Sequence, residues 1–434
     1  MPQLEFIIES WLAPNDGDEL ARATLASLRI QAGATTEVLT QVDDTIARTT
    51  RDHINVAVAP IAVWLLTNWW RLRWETDTRA SSHTWKQAHS MASIGGGFAW
   101  PALDFASDGE YIQLRLSHDS IRDACAIRYM RDALLEIPVL DFESAVDSFV
   151  CQVDERIASI APLNRLIADL RAELEEERAN PSLSGQCKWQ ALAGIDPGDA
   201  PATWLESVAS FSSEAGTVAM EEVIAVAQPE RELSDARDAM DAIMRSPLTI
   251  DLEWAKRHEV AALETELPWE RGSRLAHCVR AEMSLGDLPI SDEWLSERLN
   301  VSLPLTSSGK QLYTGGFVNG RGLAETSVSV GSSRRVSQRF ALARLIGYVQ
   351  SHAPEHHLLP VTTGKTALQK VQRAFAQEFL CPFSALDRYT EENGLDEDGI
   401  SDAAEYFGVS PLLVATTLVN NKKLPRHRLQ AVLG

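Results

Sequence analysis

The chain has 434 residues and a globular composition, 45% hydrophobic and 23% charged, which supplies enough apolar material for buried cores and excludes disorder as the default. Its formal net charge of -21 argues against a general nucleic-acid binder and against docking on an anionic membrane, because both need clustered Lys and Arg. Five widely spaced cysteines without a CxxC pair give no cysteine-based zinc signal and fit a reduced, cytoplasmic protein.

The start, "MPQLEFIIESWLAP", has acids where a signal peptide has a basic segment, so no signal peptide is expected. Residues 1–160 form a tryptophan-rich section of mixed α and β character. The apolar run "INVAVAPIAVWLL" (54–66) is too short to span a bilayer, contains Pro60, and leads into Asn68, Arg71 and Arg73. In "APIAVWLLTNWWRLRWE" (59–75), Trp64, Trp69, Trp70 and Trp74 wrap most of the way round a helix. That pattern predicts a buried helix rather than an aromatic cage. "SIGGGFAWP" (93–101) lacks the Lys-Ser/Thr of a phosphate loop and the spacing of a dinucleotide fold, and predicts a tight turn. "GEYIQLRLS" (109–117) alternates as a strand does. "DFESAVDSFVCQVDERIASI" (141–160) has helical spacing.

Residues 161–250 predict an acidic helical middle section: "LNRLIADLRAELEEERAN" ending at Asn180-Pro181, a turn at Asp196-Pro197-Gly198, then "TVAMEEVIAVA" and "LSDARDAMDAIMR". Residues 161–272 carry 22 Asp and Glu against 10 Lys and Arg. This is either a set of solvated helix faces or a surface that meets a basic protein partner.

Residues 251–434 open with helices at Leu267-Pro268-Trp269 and at Ser291, a good N-cap. "KQLYTGGFVNG" and "LAETSVSVGS" predict two strands joined at Asn319-Gly320. The helices "SQRFALARLIGYVQSH" and "TALQKVQRAFAQEFLCPFSAL" (366–386) follow, and then the tail "GISDAAEYFGVSPLLVATTLVNN". The expected architecture is α+β, mostly helical and multidomain.

The frame Arg339-Phe340-Ala341-Leu342-Ala343, then Phe375-Ala376-Gln377-Glu378-Phe379-Leu380-Cys381-Pro382, then Ala404, Phe407-Gly408-Val409-Ser410 and Val414, resembles the ImmA/IrrE family of metallopeptidase domains in order and spacing over about a third of the chain. The resemblance implies a zincin-like domain of helices plus a small antiparallel sheet. In that family two His at i and i+4 bind zinc and a Glu between them polarises water. Carried onto this chain, the first ligand position is Arg344, the general-base position Leu345 and the second ligand position Tyr348, with the spacing glycine kept as Gly347. The third ligand falls near Lys370 or Val371. None of these residues can do the family's chemistry. The domain is therefore expected to be a pseudopeptidase, with no catalytic residue, metal or cofactor assigned. The resemblance implies a regulatory, phage-defence or toxin–antitoxin setting.

Arg344 has two readings: a cross-link to Glu378 or another carboxylate between the helices, or a cleft residue that meets an anionic ligand or a partner's carboxylate. Arg339 and Glu378 are further cleft candidates. Two alternatives stand beside the pseudopeptidase. One is an active metal-dependent hydrolase with an unrecognised site; "HAPEHH" (352–357) has inverted-zincin spacing in His352, Glu355 and His356, but Pro354 breaks the helix that motif needs. The other is a DNA-binding regulator using the tail as a helix-turn-helix. The outer face of its second helix is expected to show Leu412, Ala415, Thr416 and Asn420, so the basic contacts would come afterwards, from Lys422, Lys423 and Arg426.

Overall fold

A computed structural model describes residues 3–13, 19–117, 126–158, 160, 163–227, 233–256, 266–305, 314–320, 322–351 and 357–428. The protein is mostly helical α+β, with small antiparallel sheets. The backbone gathers into two compact units, Met1–Leu205 and Glu206–Gly434. The acidic stretch 161–250 is divided between them.

In the first unit, strand Leu25–Ala32 pairs antiparallel with Leu4–Trp11 on one side and with Ile54–Ala57 and Glu37–Val38 on the other. A second sheet joins Leu103–Ser107, Tyr111–Leu116 and Ala133–Pro138. Tyr111–Leu116 alternates half-buried and buried residues along its length, as the sequence predicts. Helix Val139–Ile157 presents Phe142, Val146, Phe149 and Val153 to this core, with Phe149 lying 5.2 Å from the ring of Phe6.

The tryptophan run forms two helices rather than one, Ala59–Thr67 and Trp69–Trp74, broken at Asn68, whose Nδ2 donates to the Trp64 carbonyl at 2.8 Å. Such local side-chain bonding competes with helix continuation. Trp64, Trp69 and Trp70 are buried. Beneath them Glu75 accepts from Arg71 Nε at 2.7 Å and contacts His89 Nε2 at 3.0 Å, while His89 stacks on Trp85. Burial alone would raise the Glu75 carboxyl, but His89 and Arg71 hold it below its usual value. Gly95, Gly96 and Gly97 all take positive φ, so the triple glycine is a turn.

In the second unit a four-stranded antiparallel sheet runs in the order Thr249–Ile250, Thr326–Ser329, Gly315–Val318, Leu358–Pro360. Gly315–Val318 and Thr326–Ser329 pair as expected, but not through a tight Asn319-Gly320 turn. A longer loop with a 3-10 turn at Gly322–Glu325 intervenes, and Asn319 Nδ2 donates to Glu325 O and Ser327 Oγ instead.

Helix Arg335–Ser351 is buried on all sides from Ala341 to Gln350, which makes it the spine of this unit. Helix Ala367–Leu380 crosses it at Gly347, where a Cβ would stand 2.9 Å from Phe375. Helix Pro268–Glu282 approaches the same helix through Gly272, where a Cβ would stand 2.4 Å from the Val371 carbonyl. The helix expected over 366–386 ends at Leu380. Pro382 cannot continue it, and Phe383–Asn393 starts afresh.

Candidate functional site

The tail places helices Glu397–Phe407 and Pro411–Asn420 around Gly408, which has φ +63 and lies against Arg339. Arg339 is buried. It donates to Gly408 O at 2.9 Å, to Ile290 O at 2.5 Å and to Asp292 Oδ1. It is thus a tie that fixes the tail to the N-terminus of helix Asp292–Leu299, and the cleft role expected for it is corrected.

Of the positions onto which the resemblance carries the family's metal site, Arg344, Leu345, Tyr348 and Val371 are buried and Lys370 is half-buried. Leu345 is fully buried, with its Cδ2 3.5 Å from where a Cβ on Gly316 would lie, so it faces the sheet. Val371 is core and Lys370 turns its ammonium over the Trp269 ring. Tyr348 is buried, and burial together with the negative charge of Glu222 pushes its phenol up.

Arg344 does not reach Glu378, so the cross-link expected between them is corrected. Its Nη2 donates to the Thr362 carbonyl at 2.8 Å and to Gln369 Oε1, while its buried Nε donates to nothing. The physical reason is position along the helix. Gln369 and Arg373 share a face, one turn apart, opposite Arg344, and Glu378 lies more than a turn beyond. There Glu378 accepts from the Phe383 N–H at 3.1 Å and contacts His277 at 3.0 Å; burial holds its carboxyl above the usual value.

The carboxylate nearest in effect to Arg344 is Glu222, from helix Thr217–Ile224. It accepts from Thr366 Oγ1 at 2.7 Å and from the Gln369 side chain. Burial pushes Glu222 up to about 7, against those hydrogen bonds. Gln369 therefore joins the two side chains. Its Oε1 accepts from Arg344 and from the Thr362 N–H at 3.1 Å, and its Nε2 donates to Pro360 O at 3.2 Å. Burial and the neighbouring Arg373 pull the Arg344 guanidinium down, yet a guanidinium stays charged at neutral pH.

A cavity of about 520 Å³ opens on this face. Arg344 and Arg373 line it together with Phe340, Val361, Leu412 and Leu413, and no carboxylate is among its lining residues. Arg373 also donates to Gly364 O at 2.7 Å. Neither Arg339 nor Glu378 lines this cavity. Of the sequence candidates, only Arg344 does. Glu222, Gln369 and Arg373 were not singled out from sequence. Arg373 carries a readable signal, because it sits about one turn from Lys370 and Val371, onto which the resemblance carries the third ligand.

In the tail, Leu412 and Asn420 are exposed as expected, but Ala415 is buried, so it faces the core rather than outward. Lys423 pairs with Asp387 at 2.6 Å and reaches Glu391 at 4.0 Å, whereas Lys422 and Arg426 are exposed. His352, Glu355 and His356 lie outside the described residues. Among the described residues no group of three or more His, Cys, Asp or Glu side chains is arranged to hold a metal ion, and no helix is long and apolar enough to cross a membrane. The chain matches no protein-family model, no curated protein and no solved structure.

Proposed function

We propose that this chain is a catalytically inactive, ImmA/IrrE-like pseudopeptidase that works by binding. It would act in the cytoplasm as a protein-binding or ligand-sensing component of a bacterial regulatory, phage-defence or toxin–antitoxin circuit. The observation that carries the reading is the Arg344–Gln369 bond. It ties the two helices on which the resemblance puts the metal ligands, at the first ligand position itself. A guanidinium cannot ligate a cation, and Leu345 beside it cannot take a proton from water. What remains at that place is a cavity lined by polar and apolar side chains, the common form of a small-molecule site. The regulatory setting comes from the family resemblance, and a basic protein partner from the acidic balance of residues 161–272.

Metal analysis of the full chain tests this directly. After dialysis against buffered zinc, the expected content is far below one zinc per chain. One equivalent retained, and lost in His352→Ala or His356→Ala, would overturn the reading in favour of a metal-dependent hydrolase.

A further inference from the structure

We propose that the cavity at Arg344 is a receptor for a carboxylate attached to an apolar body, with the carboxylate held between the guanidiniums of Arg344 and Arg373 and the body lying against Phe340, Val361, Leu412 and Leu413. This rests on the binding reading above only in taking the cavity as a working site.

Charge carries the first part of the argument. In a chain of net charge -21, this cavity has two guanidiniums and no carboxylate in its lining. Arg344 is only 8% exposed, makes no ion pair among the described residues, and keeps a buried Nε that donates to nothing. A buried cation left in that state costs several kcal/mol by order of magnitude, so an arriving anion gains what the protein itself does not supply. Glu222 does not do it. It lies outside the lining, bonded to Thr366 and Gln369, and burial keeps it largely protonated below about pH 7.

Shape and chemistry carry the second part. The volume of about 520 Å³ falls within the usual range for small ligands. Two forked donors on adjacent helices suit a planar two-oxygen acceptor. Half of the remaining lining residues are apolar, Val336, Phe340, Val361, Leu412 and Leu413 among them, and an inorganic ion would leave that part of the wall unfilled. The ligand class is therefore an amphipathic carboxylate, either a free apolar acid or the C-terminus of a peptide ending in an apolar residue.

The test uses the purified full chain, calorimetric titration and thermal shift. The probes are hexanoate and an N-acetyl tripeptide ending in free leucine, with hexanol, the tripeptide amide and inorganic phosphate as comparisons. Saturable binding of either acid up to about 5 mM, with no response to its uncharged counterpart, is expected; which acid binds tells the free-acid source from the peptide source. Arg344→Gln and Arg373→Gln should each weaken binding about tenfold, the effect of one lost charge-assisted bond. Arg373 is half-buried, so its variant remains a test if Arg344→Gln fails to fold. Silence from both acids, equal binding of the amide or alcohol, a response to phosphate alone, or wild-type binding by Arg373→Gln would overturn the proposal. Zinc content tests the pseudopeptidase reading separately, so a zinc-free chain that ignores both acids sinks the receptor and leaves that reading standing.

Discussion

Glu222 is buried, and its folded-state proton affinity sets a pH dependence that belongs to one residue. Its pKa rises from an ordinary 4.5 to about 7 on folding. The native state therefore holds this proton more tightly than the unfolded chain does. The stabilising contribution is complete below about pH 4.5, shrinks as pH rises, and is gone above about pH 7. Glu222→Gln should remove that slope, so that the variant gains on wild type by about 3 kcal/mol between pH 4.5 and 8, read from urea unfolding at both pH values. An equal pH response in the two proteins would sink the assignment. Arg344 was legible in the sequence only through the family resemblance, which puts it where a metal ligand is expected. Glu222 was not, because it comes to the site from 144 positions before Thr366, and no local pattern announces such a contact.

Among the helices, two glycines decide how closely the backbones approach. A methyl at Gly272 would stand 2.4 Å from a carbonyl oxygen, which cannot swing aside as a side-chain tip can. Gly272→Ala should cost about 1–3 kcal/mol and lower the melting temperature. Gly185, inside helix Pro181–Ala193, meets nothing within 4 Å, and Gly185→Ala should leave stability unchanged or raise it by about 0.5–1 kcal/mol. Thermal melts of the two variants check the contrast, and a Gly272→Ala protein as stable as wild type would refute it. Helix identity was readable from apolar spacing and from caps such as Ser291, whose hydroxyl accepts from the Trp294 N–H at 3.2 Å. Helix ends were less so. The stops at Asn68 and at Cys381-Pro382 depend on single residues inside long apolar runs, where periodicity continues across the break.

Across the whole molecule, charge is the feature that sequence gives most directly. A net charge of -21 repels phosphates, and the tail's Lys423 is already engaged by Asp387 and Glu391. No shift of duplex DNA is expected in a mobility assay at about 0.1 M salt. A shift with a steep salt slope, abolished by Lys422→Glu with Lys423→Glu, would instead make the tail a DNA reader. The mostly helical α+β class was legible from alternating and helical periods. The division of the backbone at Leu205 was not, because the breakers before it, Pro197, Gly198 and Pro201, read as a turn within the helical middle section and helix Ala202–Ala215 passes straight through the division. One consequence follows from the glycine crossings. Helix Ala367–Leu380 is approached closely at Val371, Ala374 and Phe375 by Gly272 and at Phe375 by Gly347, and these two close contacts fix its place beside the spine. Arg373 rides on that clamped rail while Arg344 stands on the neighbouring spine, which sets the gap between the two cations before any guest arrives. Reception then demands little rearrangement, and its entropic toll falls mainly on the guest.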